Sequence, residues 1–123
     1  MSAKVLLVDD EKDFLDIMVE RMRARGMDVS TATSAHDALE MVKTEPYDAV
    51  IMDFLMPEMD GFSALKMVKE SQPDLSVILL TANVTEEKRI EAIKLGALDV
   101  LEKPADLTIL TQKIEEAKTL NDK

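Results

Sequence analysis

Asp9 and Asp10 directly follow the apolar run Lys4-Val5-Leu6-Leu7-Val8, and a second run, Ala49-Val50-Ile51-Met52, also ends in an acid, Asp53. If both runs are strands of one parallel sheet, their C-terminal ends share the edge where open α/β folds place their ligands. Three carboxylates then converge from distant parts of the chain. Such a cluster repels itself unless a cation sits in it. All-oxygen ligands suit a hard divalent ion. Mg²⁺, held by carboxylates with water and phosphate, fits best, and Mn²⁺ is a substitute.

Two further residues join the acids by position. Thr81 ends a fourth apolar run, and its hydroxyl can donate to an anion; Lys103 follows a fifth run and precedes Pro104. Each candidate also has a plainer explanation. Asp9 and Asp10 can cap the first helix, and Asp53 can serve a tight turn. Thr81 is ordinary by strand propensity, and a lone lysine is usually a solvated charge. Their joint placement at the ends of parallel runs favours a site for one metal and one anionic group.

The elements that must position them follow a regular rhythm. Short apolar runs alternate with longer segments of helical period, the signature of βαβ units around a parallel sheet. Strands are expected over 4–8, 28–32, 48–52, 77–80 and 99–101, each followed by a helix. Runs one, three and four are nearly all aliphatic and should be central; the more polar second run suits an edge. Ser34 with Asp37, Thr85 before Glu86-Glu87, and Asp106 before a helix over 107–120 read as N-terminal caps. Leu107, Leu110, Ile114 and Ala117 form the stripe of that last helix, and Gly26 and Gly96 stand where left-handed helix ends are wanted. Pro57 and Gly61 fix backbone angles in the loop after Asp53.

Whole-chain properties agree. A chain of 123 residues is expected to be one domain, residues 1–123, with enough apolar content for a real core. It shows no apolar stretch of the roughly 20 residues needed to span a bilayer and no secretory signal, so a cytoplasmic location is expected and a membrane role is not. Zero cysteines exclude disulfides and thiolate metal sites. A net charge of -10 opposes direct binding to nucleic acid and points to protein partners.

In combination these motifs resemble the receiver domain of two-component response regulators: Val8-Asp9-Asp10-Glu11, Met52-Asp53-Phe54-Leu55-Met56-Pro57-Glu58-Met59-Asp60-Gly61, Leu80-Thr81-Ala82, and Leu95-Gly96-Ala97 leading to Lys103-Pro104. The similarity runs from Lys4 to the last helix. It implies the flavodoxin-like doubly wound (βα)5 fold, with a five-stranded parallel sheet of order 2-1-3-4-5. It implies that Asp53 accepts a phosphoryl group from a phosphohistidine, and that Asp9, Asp10, Asp53 and the main-chain carbonyl of Leu55 hold Mg²⁺. Thr81 and Lys103 would contact the phosphoryl oxygens, and the Lys103-Pro104 peptide would be cis. The implied donor is a sensor histidine kinase or a histidine phosphotransfer protein. The implied output is a separate effector protein or a missing output domain.

The physics of those roles is coherent. In-line phosphoryl transfer depends on positioning and on cations at the equatorial oxygens, and the acyl phosphate formed can drive a shape change through Thr81. Departures from the family pattern are informative. Val100 stands where receivers usually carry Tyr or Phe, so the aromatic flip often coupled to the threonine cannot occur. Ala105-Asp106 follow Pro104 where Phe is frequent, which weakens carry-over of the common dimer surface and leaves the oligomeric state open. Leu55 and Asn83 occupy two positions that tune dephosphorylation in the family, and an apolar Leu55 offers nothing to an attacking water, which implies slow hydrolysis.

The first helix carries a further expectation. Phe14, Ile17, Met18 and Met22 read as its inward stripe, and Leu15 with Val19 extends the apolar arc. The pair either adds core contact or forms an exposed docking face for a helical phosphodonor. Rival functions fit less well. A flavin module needs a small-residue phosphate loop, but Asp9-Asp10-Glu11-Lys12-Asp13 repels phosphate. An aspartyl phosphatase would show a second Asp at position 55. The serious competitor is a phosphorylation-independent pseudo-receiver interaction module, which usually loses a key acid or the lysine, whereas this chain keeps them all. The reading is a phosphorylation switch that acts only on itself, not a conventional enzyme.

Overall fold

A computed structural model describes residues 3–121. Five strands, β1 (Lys4–Val8), β2 (Asp28–Ala32), β3 (Ala49–Asp53), β4 (Ser76–Thr81) and β5 (Asp99–Glu102), form one parallel sheet of order 2-1-3-4-5. Five helices alternate with them: α1 (Lys12–Ala24), α2 (Ala35–Thr44), α3 (Gly61–Ser71), α4 (Glu86–Lys94) and α5 (Leu107–Asn121). This is the flavodoxin-like α/β fold.

Side chains alternate across each strand and so feed two separate cores. Leu6, Val8, Val50, Met52, Val77 and Leu79 pack with Leu39, Leu65 and Ala92 of α2, α3 and α4. Val5, Leu7, Ile51, Ile78 and Leu80 pack with Leu15, Met18, Leu110 and Ile114 of α1 and α5. The central strands β1, β3 and β4 are covered on both faces, as their aliphatic composition requires. β2 lies at an edge, where Ser30 and Thr31 are tolerated.

The helix ends form as their chemistry dictates. The hydroxyls of Ser34 and Thr85 accept from the N–H groups of Asp37 and Lys88, both at 3.1 Å, and Asp106 accepts from Thr108 and Ile109. Gly26 and Gly96 take φ of 88° and 104°. Asp10, by contrast, caps nothing: α1 is preceded by Glu11, which makes no side-chain cap.

Three local features differ from the sequence expectation. β3 is shifted by one residue, so Asp53 is its last member, while Asp48 turns its carboxylate to the Lys4 N–H at 2.8 Å. The loop after Asp53 folds into a small antiparallel hairpin, Leu55–Met56 against Met59–Asp60. The stripe of α1 is also rotated. Leu15, Met18 and Met22 are buried and Val19 is partly buried, whereas Ile17 is 52% exposed. These core positions follow the i, i+3, i+4, i+7 pattern of a helix face. Leu15 is therefore core and Val19 is only partly buried, so the pair adds core contact.

Candidate functional site

Strand register builds the site. Val8 pairs with Met52, Asp53 with Leu80, and Thr81 with Glu102, so the strands end nearly level. The ladder continues past the strands: Asp9 N–H donates to Ala32 O at 3.1 Å, Phe54 N–H to Leu80 O at 2.7 Å, and Lys103 N–H to Thr81 O at 2.8 Å. Asp9, Asp10, Asp53, Thr81 and Lys103 thereby reach one edge. One oxygen from each of Asp9, Asp10 and Asp53 lies within 4.8 Å of the others, with Asp9 and Asp53 buried and Asp10 exposed.

Lys103 sits among them. Its ammonium donates to Asp9 at 2.8 Å, Glu11 at 3.0 Å and Asp53 at 3.4 Å, and it stands 4.4 Å from the Phe14 ring centroid. Asp9 also accepts from the Glu11 N–H at 2.9 Å, and Asp53 from the Leu55 N–H at 3.4 Å. Burial and the charge of Asp9 raise the Asp53 pKa above the ordinary aspartate value, although Lys103 and the Leu55 N–H oppose the rise. Burial alone would lower the Lys103 pKa, but bonds to Asp9 and Glu11 and the charge of Asp53 outweigh it, so the net shift is upward. The lysine stays charged.

A divalent cation fits this set. Two oxygens bound to one Mg²⁺ lie at most about 4.2 Å apart, since each ligand sits about 2.1 Å from the ion. The three acids need only a small inward adjustment. The Lys103 ammonium meets three carboxylates and Asp10 adds a fourth beside them, so added positive charge relieves repulsion.

Thr81 is buried, and its hydroxyl oxygen accepts from Asn83 N–H at 3.3 Å and from the Lys88 ammonium at 3.5 Å. Leu55 is 67% exposed beside the acids, and Asn83 is exposed. Val100 is buried, with no ring to rotate, and its carbonyl accepts from Arg89 at 3.2 Å. The Lys103-Pro104 peptide is cis. A large open concavity, lined by Lys4, Val42, Tyr47 and Gln72 among others, lies elsewhere and includes none of the three acids.

Sequence reasoning missed Glu11, Phe14 and Lys88 as neighbours of the site. Glu11 was visible in the Asp-Asp-Glu motif, but its bond to Lys103 needs the loop geometry. Lys88 carried a usable signal: side chains in a first turn lean back toward the helix N-terminus, here toward Thr81.

The model of the response regulator receiver domain family matches residues 5–115, nearly the whole chain. The chain belongs to that family. It is 39% identical over 113 residues to the transcriptional regulatory protein ZraR of Salmonella typhimurium, covering 92% of this chain but 26% of ZraR. The receiver thus spans about a quarter of the length of that relative. A response regulator receiver domain protein from Clostridium thermocellum superposes with a TM-score of 0.90 at 31% identity, covering 98% of this chain and 97% of its own. The beryllofluoride-activated NtrC4 receiver domain dimer does so at 0.87 and 29%, covering 94% and 96%.

Membership makes the chain a two-component signalling module. The acidic pocket of Asp9, Asp10 and Asp53 agrees with the phosphoacceptor site of such a receiver. Among the described residues, no helix is long and apolar enough to cross a membrane.

Proposed function

We propose that this receiver accepts a phosphoryl group on Asp53 from a phosphohistidine of a sensor kinase or histidine phosphotransfer protein. The observation that carries the proposal is the convergence of Asp9, Asp10 and Asp53 at the C-terminal edge of the sheet, with the Lys103 ammonium bonded to Asp9 and Asp53. An Asp53 carboxylate oxygen forms the new bond to phosphorus. The P–N bond breaks with its electron pair left on the donor nitrogen, so a phosphoimidazolium departs as neutral imidazole.

Lys103, 3.4 Å from Asp53, lowers the repulsion between carboxylate and incoming phosphoryl oxygens. Thr81 donates its hydroxyl hydrogen to one of those oxygens. Asp9, Asp10, Asp53 and the Leu55 carbonyl would hold Mg²⁺, which neutralises charge on the transferring group. The acyl phosphate then alters the loop after β4 and the surface of β4, β5 and α4, and this signal passes to an effector, either a separate protein or an output domain. The proposed site of action is the cytoplasm.

The test is intact mass after incubation with acetyl phosphate and Mg²⁺. Gain of one phosphoryl group by the wild type, lost in Asp53→Asn and in the chelated control, is the expected result. No gain with acetyl phosphate or with a panel of kinases would overturn it in favour of a phosphorylation-independent interaction module.

A further inference from the structure

A second ammonium reaches the acceptor site from α4. Lys88 lies in the first turn of that helix, its N–H held by the Thr85 hydroxyl at 3.1 Å. Its side chain runs back over the helix N-terminus, donates to the Asn83 carbonyl at 2.9 Å and approaches Thr81 Oγ1 at 3.5 Å. The same ammonium stands 5.1 Å from the centroid of the Phe54 ring. Phe54 is the residue after Asp53, and Phe62 of α3 braces it edge-on with centroids 4.9 Å apart. Among the described residues Lys88 has no carboxylate partner.

Hydrogen-bond accounting at Thr81 shows what this does. A hydroxyl has two acceptor lone pairs and one hydrogen. Asn83 N–H and Lys88 Nζ both donate to Oγ1, and no described residue accepts the hydrogen. The hydrogen is therefore the part of the group left for an arriving anion. The present partners of Lys88, a carbonyl, a hydroxyl and a ring face, are all neutral, and an ammonium bonds an anionic oxygen more strongly. Phosphorylation adds nearly two negative charges beside it.

We infer that Lys88 is a positioning residue of the phosphoryl site and the link from that site to α4 which buried Val100 cannot provide. It orients the Thr81 hydroxyl before the reaction, then follows it toward the phosphoryl oxygens and draws the first turn of α4 inward. Lys103 and Lys88 thus approach the acceptor from two elements, and only the second belongs to a helix of the switch surface. The inference rests on Asp53 being the acceptor.

Beryllofluoride, whose beryllium becomes tetrahedral when a carboxylate oxygen binds it and which then mimics a phosphoryl group, gives a test without turnover. Wild type, Lys88→Met and Lys88→Arg are titrated with it in saturating Mg²⁺ while amide resonances are followed. Loss of one charge-assisted hydrogen bond predicts an affinity about tenfold weaker in Lys88→Met. Amide shifts across residues 86–94 should also shrink, Mg²⁺ affinity without beryllofluoride should be unchanged, and Lys88→Arg should recover both anion affinity and shifts. Wild-type affinity and shifts in Lys88→Met would overturn the role of Lys88 alone, as would failure of Lys88→Arg to recover either. Absence of beryllofluoride binding by the wild type would overturn the acceptor reading and this inference with it.

Discussion

The Lys103 ammonium is bonded more closely to Asp9, at 2.8 Å, than to the neighbouring Asp53, at 3.4 Å. Asp9 is 1% exposed, and its carboxylate has only this cation and the Glu11 N–H as described partners. Lys103→Met should therefore cost about 1–3 kcal/mol in metal-free protein, because it strands a buried carboxylate. Thermal unfolding in chelator checks this, and added Mg²⁺ should recover part of the loss. The Lys103 pKa is raised, so its contribution is complete below the ordinary lysine range and fades only above it. The difference between the two proteins should stay flat from about pH 6 to pH 9.

Asp53 behaves oppositely. Its folded pKa lies above the unfolded value, so the folded state holds the proton more tightly, and stability falls as pH rises through that interval. Asp53→Asn should then raise the melting temperature by a few degrees at neutral pH in chelator. The gain should disappear below the ordinary aspartate pKa of about 4. Melting curves of both proteins across pH decide it, and an unchanged difference at acid pH would contradict the electrostatic origin.

Exposed Asp10 makes a separable contribution, since it caps no helix and forms no described ion pair. Asp10→Asn should leave metal-free stability unchanged or slightly higher and weaken Mg²⁺ binding on the order of tenfold or more. Calorimetric titration with Mg²⁺ provides the measurement.

The rotated stripe of α1 predicts a contrast between neighbours. Leu15→Ala should cost about 2–5 kcal/mol, as for other buried leucines, whereas Ile17→Ala should stay within about 0.5 kcal/mol. Denaturant unfolding of the two variants distinguishes them. Equal costs would refute the burial difference.

Leu55, exposed beside the acids, offers no hydrogen bond to a water attacking phosphorus. Leu55→Asn should shorten the lifetime of the phosphorylated protein several-fold, measured by loss of the added mass after the donor is removed. An unchanged lifetime would exclude Leu55 as the tuning residue.

Much of this was legible because the strongest signals are local. Aliphatic runs such as Val77-Ile78-Leu79-Leu80 must be covered on both faces, and that alone separates the central strands from β2. Parallel strands then force Asp9, Asp53, Thr81 and Lys103 to one edge. The α1 face was ambiguous for a physical reason: apolar residues at 14, 15, 17, 18, 19 and 22 cover more arc than a helix buries. Only packing against β1 and β2 selects Leu15 over Ile17. Lys88 and Glu11 escaped because lysines and glutamates carry no periodic signature; the first-turn position of Lys88 was readable, but the bond of Glu11 to Lys103 appears only when the loops have closed.

The bond from Lys103 to Asp9 spans 94 positions of sequence. During synthesis the first acid therefore emerges long before the lysine that steadies it, and β5 must dock on β4 before that ammonium arrives. A growing or truncated chain lacking the fifth strand would carry Asp53 but not its charge partner. Charge balance at the edge of the sheet is in this way tied to the arrival of the fifth strand.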